Sequence, residues 1–170
     1  MHTPEQLFAK LDMLGIAHRT VSHPPVFTVE EAKARRGALP GAHIKNLFLR
    51  NKKEEMWLVV ALEDRQVDLK RLGEALGAGR LSFGSPERLA RHLGVEPGSV
   101  TPLSLVNDEA HVVRLALDRG IESGPESNPA SDLVNVHPLV NTMTTAVAAA
   151  DLLRFFAATG HVPRWLDFPL

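Results

Sequence analysis

Apolar and polar positions follow two rhythms along the chain. Residues 44–50, apolar but for Lys45, Asn46 and Arg50, and the wholly apolar 56–62 have strand lengths, and the polar run Asn51-Lys52-Lys53-Glu54-Glu55 between them predicts a hairpin. Further strands are expected over 16–21, 112–117, 133–136 and 141–147, with Arg80-Leu81-Ser82-Phe83 as a short strand or extended link. Helical spacing alternates with these. Thr3-Pro4-Glu5-Gln6 reads as a capping box, followed by Leu7, Leu11 and Leu14 on one stripe and Gly15 as a stop. Thr28-Val29-Glu30-Glu31 is a second capping box, opening a helix over 28–37 that could pack or serve as a lid. A helix over 68–76 ends at Gly77. Another opens at Ser85-Pro86-Glu87 and closes at Gly94. A last helix over 151–159 ends at Gly160, but alanines stand where its N-cap should be. The tail 161–170 carries Trp165 and Phe168 and is expected to pack back.

Strands and helices interleave without a strict βαβ rhythm. The expected class is α/β of the α+β type, a mixed sheet surrounded by helices, in one domain over 1–170. With 170 residues and 44% hydrophobic positions, the chain can bury a real core. A formal net charge of -1 gives no global attraction to nucleic acid, so any such contact must come from a local patch. The absence of cysteine excludes disulfides, thiolate catalysis and cysteine metal sites. No apolar run approaches a membrane span, and the N-terminus lacks the pattern of a signal peptide, so a cytoplasmic protein is expected. Neither GxGxxG nor GxxxxGK[ST] occurs, nor does a GxSxG elbow. The eight histidines include no HxH or HExxH pair, so no metal and no cofactor is expected.

Four polar knots interrupt apolar surroundings. In the strand over 44–50, alternation puts Lys45 with Leu47 and Leu49, and Asn46 with Ile44 and Phe48. Lys45 either snorkels to water at a strand end or stands at the mouth of a pocket, ready to hold an anionic or carbonyl oxygen. Arg80 with Ser82 forms the second knot. The third is Gly98-Ser99-Val100-Thr101-Pro102, a loop whose glycine lets a ligand approach the main chain and whose prolines stiffen its flanks. The fourth is His137-Pro138-Leu139-Val140-Asn141-Thr142, in which the proline biases His137 toward extended backbone. Each has an ordinary structural reading as well: a turn, a strand end, a hydrogen-bonded histidine.

These runs, in this order and at this spacing, resemble the family of YbaK and the prolyl-tRNA synthetase associated editing domain, over nearly the whole chain. The HPLxNT stretch and the run from Asp151 to His161 resemble its free-standing ProX branch. The resemblance implies a partly barrel-like mixed sheet and hydrolysis of the ester joining a wrong amino acid to tRNA. The implied substrate is mischarged tRNA(Pro), bound by its acceptor end and carrying alanine in the ProX branch. Prolyl-tRNA synthetase is the further partner it suggests. Lys45 matches the family's essential lysine. Gly98 and Pro102 match the ends of its GxxxP loop, with Ser99, Val100 and Thr101 between them. Asn46, Arg80, Ser82 and His137 match pocket positions. Other readings of the same scaffold are a non-catalytic tRNA-binding or regulatory module and a deacylase for cysteine or serine. An unrelated small-molecule hydrolase is a further alternative.

Overall fold

A computed structural model of the chain describes residues 1–25, 30, 39–123 and 132–170. The expected helix over 28–37 lies outside these residues apart from Glu30.

The helical punctuation works as the sequence implies. In α1 (Pro4–Met13), the Thr3 hydroxyl accepts from Gln6 N–H and the Gln6 side chain accepts from Thr3 N–H, completing the capping box. α2 (Leu69–Leu76) is capped by Asp68 and α3 (Pro86–Leu93) by Ser85; Gly77 and Gly94 end them in left-handed conformation. α4 (Arg119–Ser123) is a short helix that no capping signal announces. α5 (Ala149–Thr159) starts two residues earlier than expected, on Ala148, with no side-chain cap. Burial of Leu152, Phe155 and Phe156 holds it instead.

The strands are β1 (His18–Ser22), β2 (Ala42–Arg50), β3 (Met56–Leu62), β4 (Ser82–Phe83), β5 (Val113–Asp118), β6 (Leu133–Val136), β7 (Met143–Ala148) and β8 (Arg164–Leu166). They form one mixed sheet flanked by helices, as expected, in the order β1-β7-β6-β2-β3-β5-β8, with β4 also on β2. The order runs between two edges, β1 and β8, and is not closed. The expected hairpin is present: β2 pairs antiparallel with β3 from Ile44↔Leu62 to Arg50↔Met56. Its turn is built on buried Asn51, whose side-chain oxygen accepts from the N–H groups of Lys53 and Glu55, both at 3.0 Å. The tail packs back as expected, with β8 parallel to β5.

The two faces of the sheet have separate cores. One gathers Phe48, Val60, Val136 and Leu139 of the sheet side with Leu7, Leu93, Leu103 and Phe155 from the helices. The other gathers Leu49, Trp57 and Val59 with Leu72, Leu76 and Leu166. Each fully buried leucine or phenylalanine contributes roughly 1.5–3 kcal/mol. The alternation read from 44–50 is therefore the observed one: Ile44 and Phe48 pack on the first core, Leu47 and Leu49 on the second.

Candidate active site at the break in strand β2

β2 is shared by two ladders on the edge away from β3. At its start, Ala42 and His43 pair in parallel with Val134 and Asn135 of β6. At its end, Leu49 and Arg50 pair with Phe83 and Ser82 of β4, and the Gly84 N–H donates to the Phe48 carbonyl at 2.9 Å. Among the described residues, no strand covers the edge between these ladders. The His43 carbonyl accepts from Glu63 N–H on the β3 side, whereas Phe48 faces β4. Alternation then turns the main-chain N–H and C=O of Asn46 to the uncovered edge. Lys45 and Asn46 sit at this break.

Lys45 lies on the face of Leu47 and Leu49. Its ammonium donates to the Arg65 carbonyl. One of three donors is thus used, and two remain. The carbonyl is itself held in place. Asp118, 1% exposed, accepts from Leu62 N–H at 3.0 Å, Gly120 N–H at 2.8 Å and Arg65 Nε at 3.0 Å. Arg65 N–H also donates to the Leu62 carbonyl at 3.0 Å. Asp118 therefore positions Lys45 through the turn after β3. The sequence reading missed it, although a carboxylate followed by Arg119-Gly120 at the end of an apolar strand is a signal that could have raised it.

Asn46 points to the opposite face. Its Oδ1 is buried and has no hydrogen-bond partner among the described residues. Such an acceptor costs about 1–3 kcal/mol when left unsatisfied, and native structures seldom tolerate one without a reason.

His137 follows β6. It stands one residue past the end of that strand and two past the last pair with β2, His43↔Asn135, and alternation from buried Val134 and Val136 turns it to the face that carries Asn135 and Lys45. Its Nδ1–H donates to the Met143 carbonyl at 3.1 Å, leaving Nε2 as an acceptor in the neutral ring. Burial holds its pKa below the ordinary histidine range. The Met143 hydrogen bond opposes that shift, and nearby His23 adds to it. The two rings lie 6.4 Å apart. His23, another residue the sequence reading did not place in the site, is fixed by the Pro24 carbonyl and the Thr144 hydroxyl, each at 2.8 Å.

The His137 shift sets a pH dependence of stability. The native state binds this proton less readily than the unfolded chain, whose histidine titrates near ~6.5. As pH falls from that value through the lower native pKa, the unfolded state takes up more protons and stability drops. Melting temperatures between pH 7.5 and 5 should show this fall, and His137→Gln should flatten it. An unchanged pH slope in that variant would remove His137 from the account.

The remaining predicted residues divide. Ser82 sits on β4 at the far rim of the break, and Arg80, just before it, is exposed and makes no ion pair among the described residues. The glycine loop lies on the side of the first core. Gly98 has φ 90°, which favours glycine, and the Ser99 N–H donates to the Glu96 carbonyl at 2.9 Å. Ser99 and Thr101 are buried, Val100 packs on the first core, and Pro102 opens a 3-10 helix, Pro102–Asn107, that the sequence pattern did not predict. The Thr101 hydroxyl caps it by accepting from Leu103 N–H at 3.3 Å. Lys45, on β2, and His137, just past β6, thus belong to one face of the sheet. Asn46 and the loop belong to the other, and the uncovered edge of β2 is where the two faces communicate. No hydrogen bond joins the loop to Lys45, Asn46 or His137 among the described residues. No group of three or more potential metal ligands occurs among them either.

Comparison with known proteins matches the chain to a family. The family model of the aminoacyl-tRNA editing domain matches residues 23–155. The mouse prolyl-tRNA synthetase associated domain-containing protein 1 is 41% identical over 167 residues, covering 96% of this chain and 95% of its own. The prolyl-tRNA editing protein ProX of Acetoanaerobium sticklandii is 34% identical over 162 residues, covering 95% and 94%. A crystal structure of a candidate trans-editing enzyme for prolyl-tRNA synthetase superposes with TM-score 0.69 at 20% identity, covering 99% of each chain, and supports the fold. The chain belongs to the aminoacyl-tRNA editing domain family, and it is a hydrolase of the aminoacyl-tRNA ester.

Proposed function

We propose that the protein removes alanine from mischarged tRNA(Pro), acting in trans on the acceptor end after release from prolyl-tRNA synthetase. The observation that carries the reading is that, on adjacent residues of β2 where no described strand covers its edge, a lysine with spare donors stands next to an asparagine whose buried oxygen has no partner among the described residues. The relatives named for prolyl-tRNA editing and for association with prolyl-tRNA synthetase support the choice of tRNA.

The chemistry asks little of the protein beyond placement. An aminoacyl ester is already activated, so water can attack once the carbonyl is polarised and held. Lys45 supplies a charged donor for the developing oxyanion or the neighbouring phosphate. The Asn46 Oδ1 is an acceptor that suits the substrate ammonium, and binding it there would satisfy the orphaned oxygen. The Asn46 main chain and the loop 98–102 bound the aminoacyl group, and Nε2 of neutral His137 can accept from a ribose hydroxyl or the attacking water. Alanine needs such a second site. A synthetase pocket shaped for proline gains only about 1–3 kcal/mol per missing methylene against a smaller side chain. A site that admits alanine and sterically refuses proline supplies the rest.

The test is single-turnover deacylation of a panel of tRNA(Pro) charged with alanine, cysteine, serine or proline. Alanyl-tRNA(Pro) should be cleaved fastest and prolyl-tRNA(Pro) spared. Faster cleavage of the cysteine or serine ester would reassign the substrate. Binding without cleavage of any ester would favour a non-catalytic module.

A further inference from the structure

A lone exposed phenylalanine on a protein surface needs no explanation. The position of Phe83 does. It is 62% exposed, on a two-residue strand at the rim of the break in β2. Its Cα partner is Leu49, so it stands on the face that carries Lys45, four residues along the same strand. At strand rise that is about 13 Å from Lys45. Its neighbour fixes it there. Gly84 lies flush on the Phe48 ring, so close that a Cβ would come within 2.4 Å of it, and its N–H is bonded to the Phe48 carbonyl. The chain cannot swing inward to bury the Phe83 ring without displacing that contact.

The surroundings are cationic. Arg50, the Cα partner of Ser82 and so on the opposite face of the strand from Phe83, shares Glu54 with Arg88 around the same rim, and Arg80 is exposed with no ion pair among the described residues. An exposed ring fixed at a strand rim, with arginines at neighbouring positions around that rim, has the two parts that hold single-stranded nucleic acid: a face on which a base can stack and cations that can follow the backbone.

We infer that Phe83 is a stacking platform for an unpaired base at the 3′ end of the tRNA, the terminal adenine or the base before it. The inference rests on the proposed function for the presence of that end near Lys45. It assigns a role to the one residue of the run Arg80-Leu81-Ser82-Phe83 whose ring is turned out to solvent. Because every base offers a π-face, this contact would anchor the acceptor end without choosing its sequence, and leave selection to the aminoacyl site.

Two measurements test it. The first uses uncharged tRNA(Pro) carrying 2-aminopurine at the terminal or penultimate position, so it does not depend on cleavage. Stacking on Phe83 should quench the fluorophore at one of these positions in wild-type protein, with the quench lost in Phe83→Ala and kept in Phe83→Trp. The second is single-turnover deacylation across protein concentrations. Phe83→Ala should raise the half-saturating concentration by about fivefold to a hundredfold, the range a lost base stack gives, while the rate at saturation and the melting temperature stay near wild type. Wild-type half-saturation and quench in Phe83→Ala would overturn the inference. So would a loss confined to the saturated rate, or a large fall in melting temperature. Absence of cleavage by wild-type protein with the Phe83-dependent quench intact would instead count against the proposed function alone.

Discussion

Lys45→Ala is expected to slow single-turnover deacylation of alanyl-tRNA(Pro) by roughly tenfold to a hundredfold or more, because a charge-assisted hydrogen bond is worth about 1.5–3 kcal/mol. The structure separates this from a folding defect. Among the described residues the ammonium has one hydrogen-bond partner, the Arg65 carbonyl, and the side chain is partly exposed. Losing that bond costs at most about 1.5–3 kcal/mol, and less where water can solvate the carbonyl it leaves, a shift of several degrees of melting temperature in a chain of this size. Lys45→Arg should be impaired as well, since a planar guanidinium cannot take the place of a compact ammonium against both the Arg65 carbonyl and a substrate oxygen. Asp118→Asn adds a control. It weakens the anchoring of the Arg65 turn while leaving Lys45 in place, so its loss of rate should be smaller than that of Lys45→Ala. Near-normal cleavage by Lys45→Ala would take the residue out of the mechanism, and a collapse in melting temperature would make it structural.

The largest expected effect on stability lies at the other end of the molecule. Asp108 and His161 form a buried pair with side chains 2% and 3% exposed, joined at 2.9 Å. Asp108 also accepts from Val112 N–H at 3.1 Å and Val113 N–H at 2.9 Å, which fixes the entry to β5. The second ring nitrogen of His161 faces the Thr159 hydroxyl at 2.9 Å, and that hydroxyl donates to the Phe156 carbonyl at 3.1 Å. Both ring nitrogens therefore face oxygen. Asp108→Ala strands a buried imidazole and two N–H groups together. Breaking a buried pair in this way costs about 3–5 kcal/mol, which corresponds to a fall of roughly 10 °C or more. Burial by itself would raise the Asp108 pKa; the His161 bond and the two N–H donors outweigh it and bring it below the ordinary carboxylate value. Its stabilising contribution is accordingly present above the unfolded value near ~3.9 and is lost as pH falls through the native one. Thermal melts of Asp108→Ala, His161→Ala and the double variant would show non-additive losses. Additive losses of under about 1 kcal/mol each, the scale of an exposed pair, would refute the pairing as a stabilising element.

Much of this was legible in the chain because it is local. The capping box at Thr3, the caps at Asp68 and Ser85 and the glycines that end three helices are decided by neighbours a few residues away. The alternation through 44–50 gave the correct faces for Lys45 and Asn46 because one face of β2 packs on each core. The run of four motifs pointed to the family. What could not be read is non-local. The break in β2 depends on β6 pairing with it across about ninety positions of chain, and no pattern within 44–50 announces where that pairing stops. Asp118 reaches Arg65, and Asp108 reaches His161, each across 53 positions. The 3-10 helix Pro102–Asn107 is held by Thr101, whose threonine-to-proline step resembles many other turns. Phe83 was quoted in the sequence as part of a motif, but only its exposure distinguishes it from a core residue.

One strand belongs to two ladders at once, and this makes the site an aperture whose width is a property of backbone twist. The rims, β6 with His137 and β4 with Phe83, are both bolted to β2, and their separation is the stretch of β2 that neither covers. Adjacent strands turn against each other by about 20–25°, so the two rims diverge by an amount that β2 itself dictates. Side-chain exchanges at the rim can fill or empty this opening but leave its span alone. Changing the span requires adding or removing a residue within 44–48, and that would invert the faces of every residue beyond it. Lys45 would then exchange sides with its neighbour, or Phe48 and Leu49 would exchange cores. The same constraint keeps substrates of different bulk from being accommodated by gradual stretching: the fold offers a fixed gauge, and selectivity must be adjusted by what lines it.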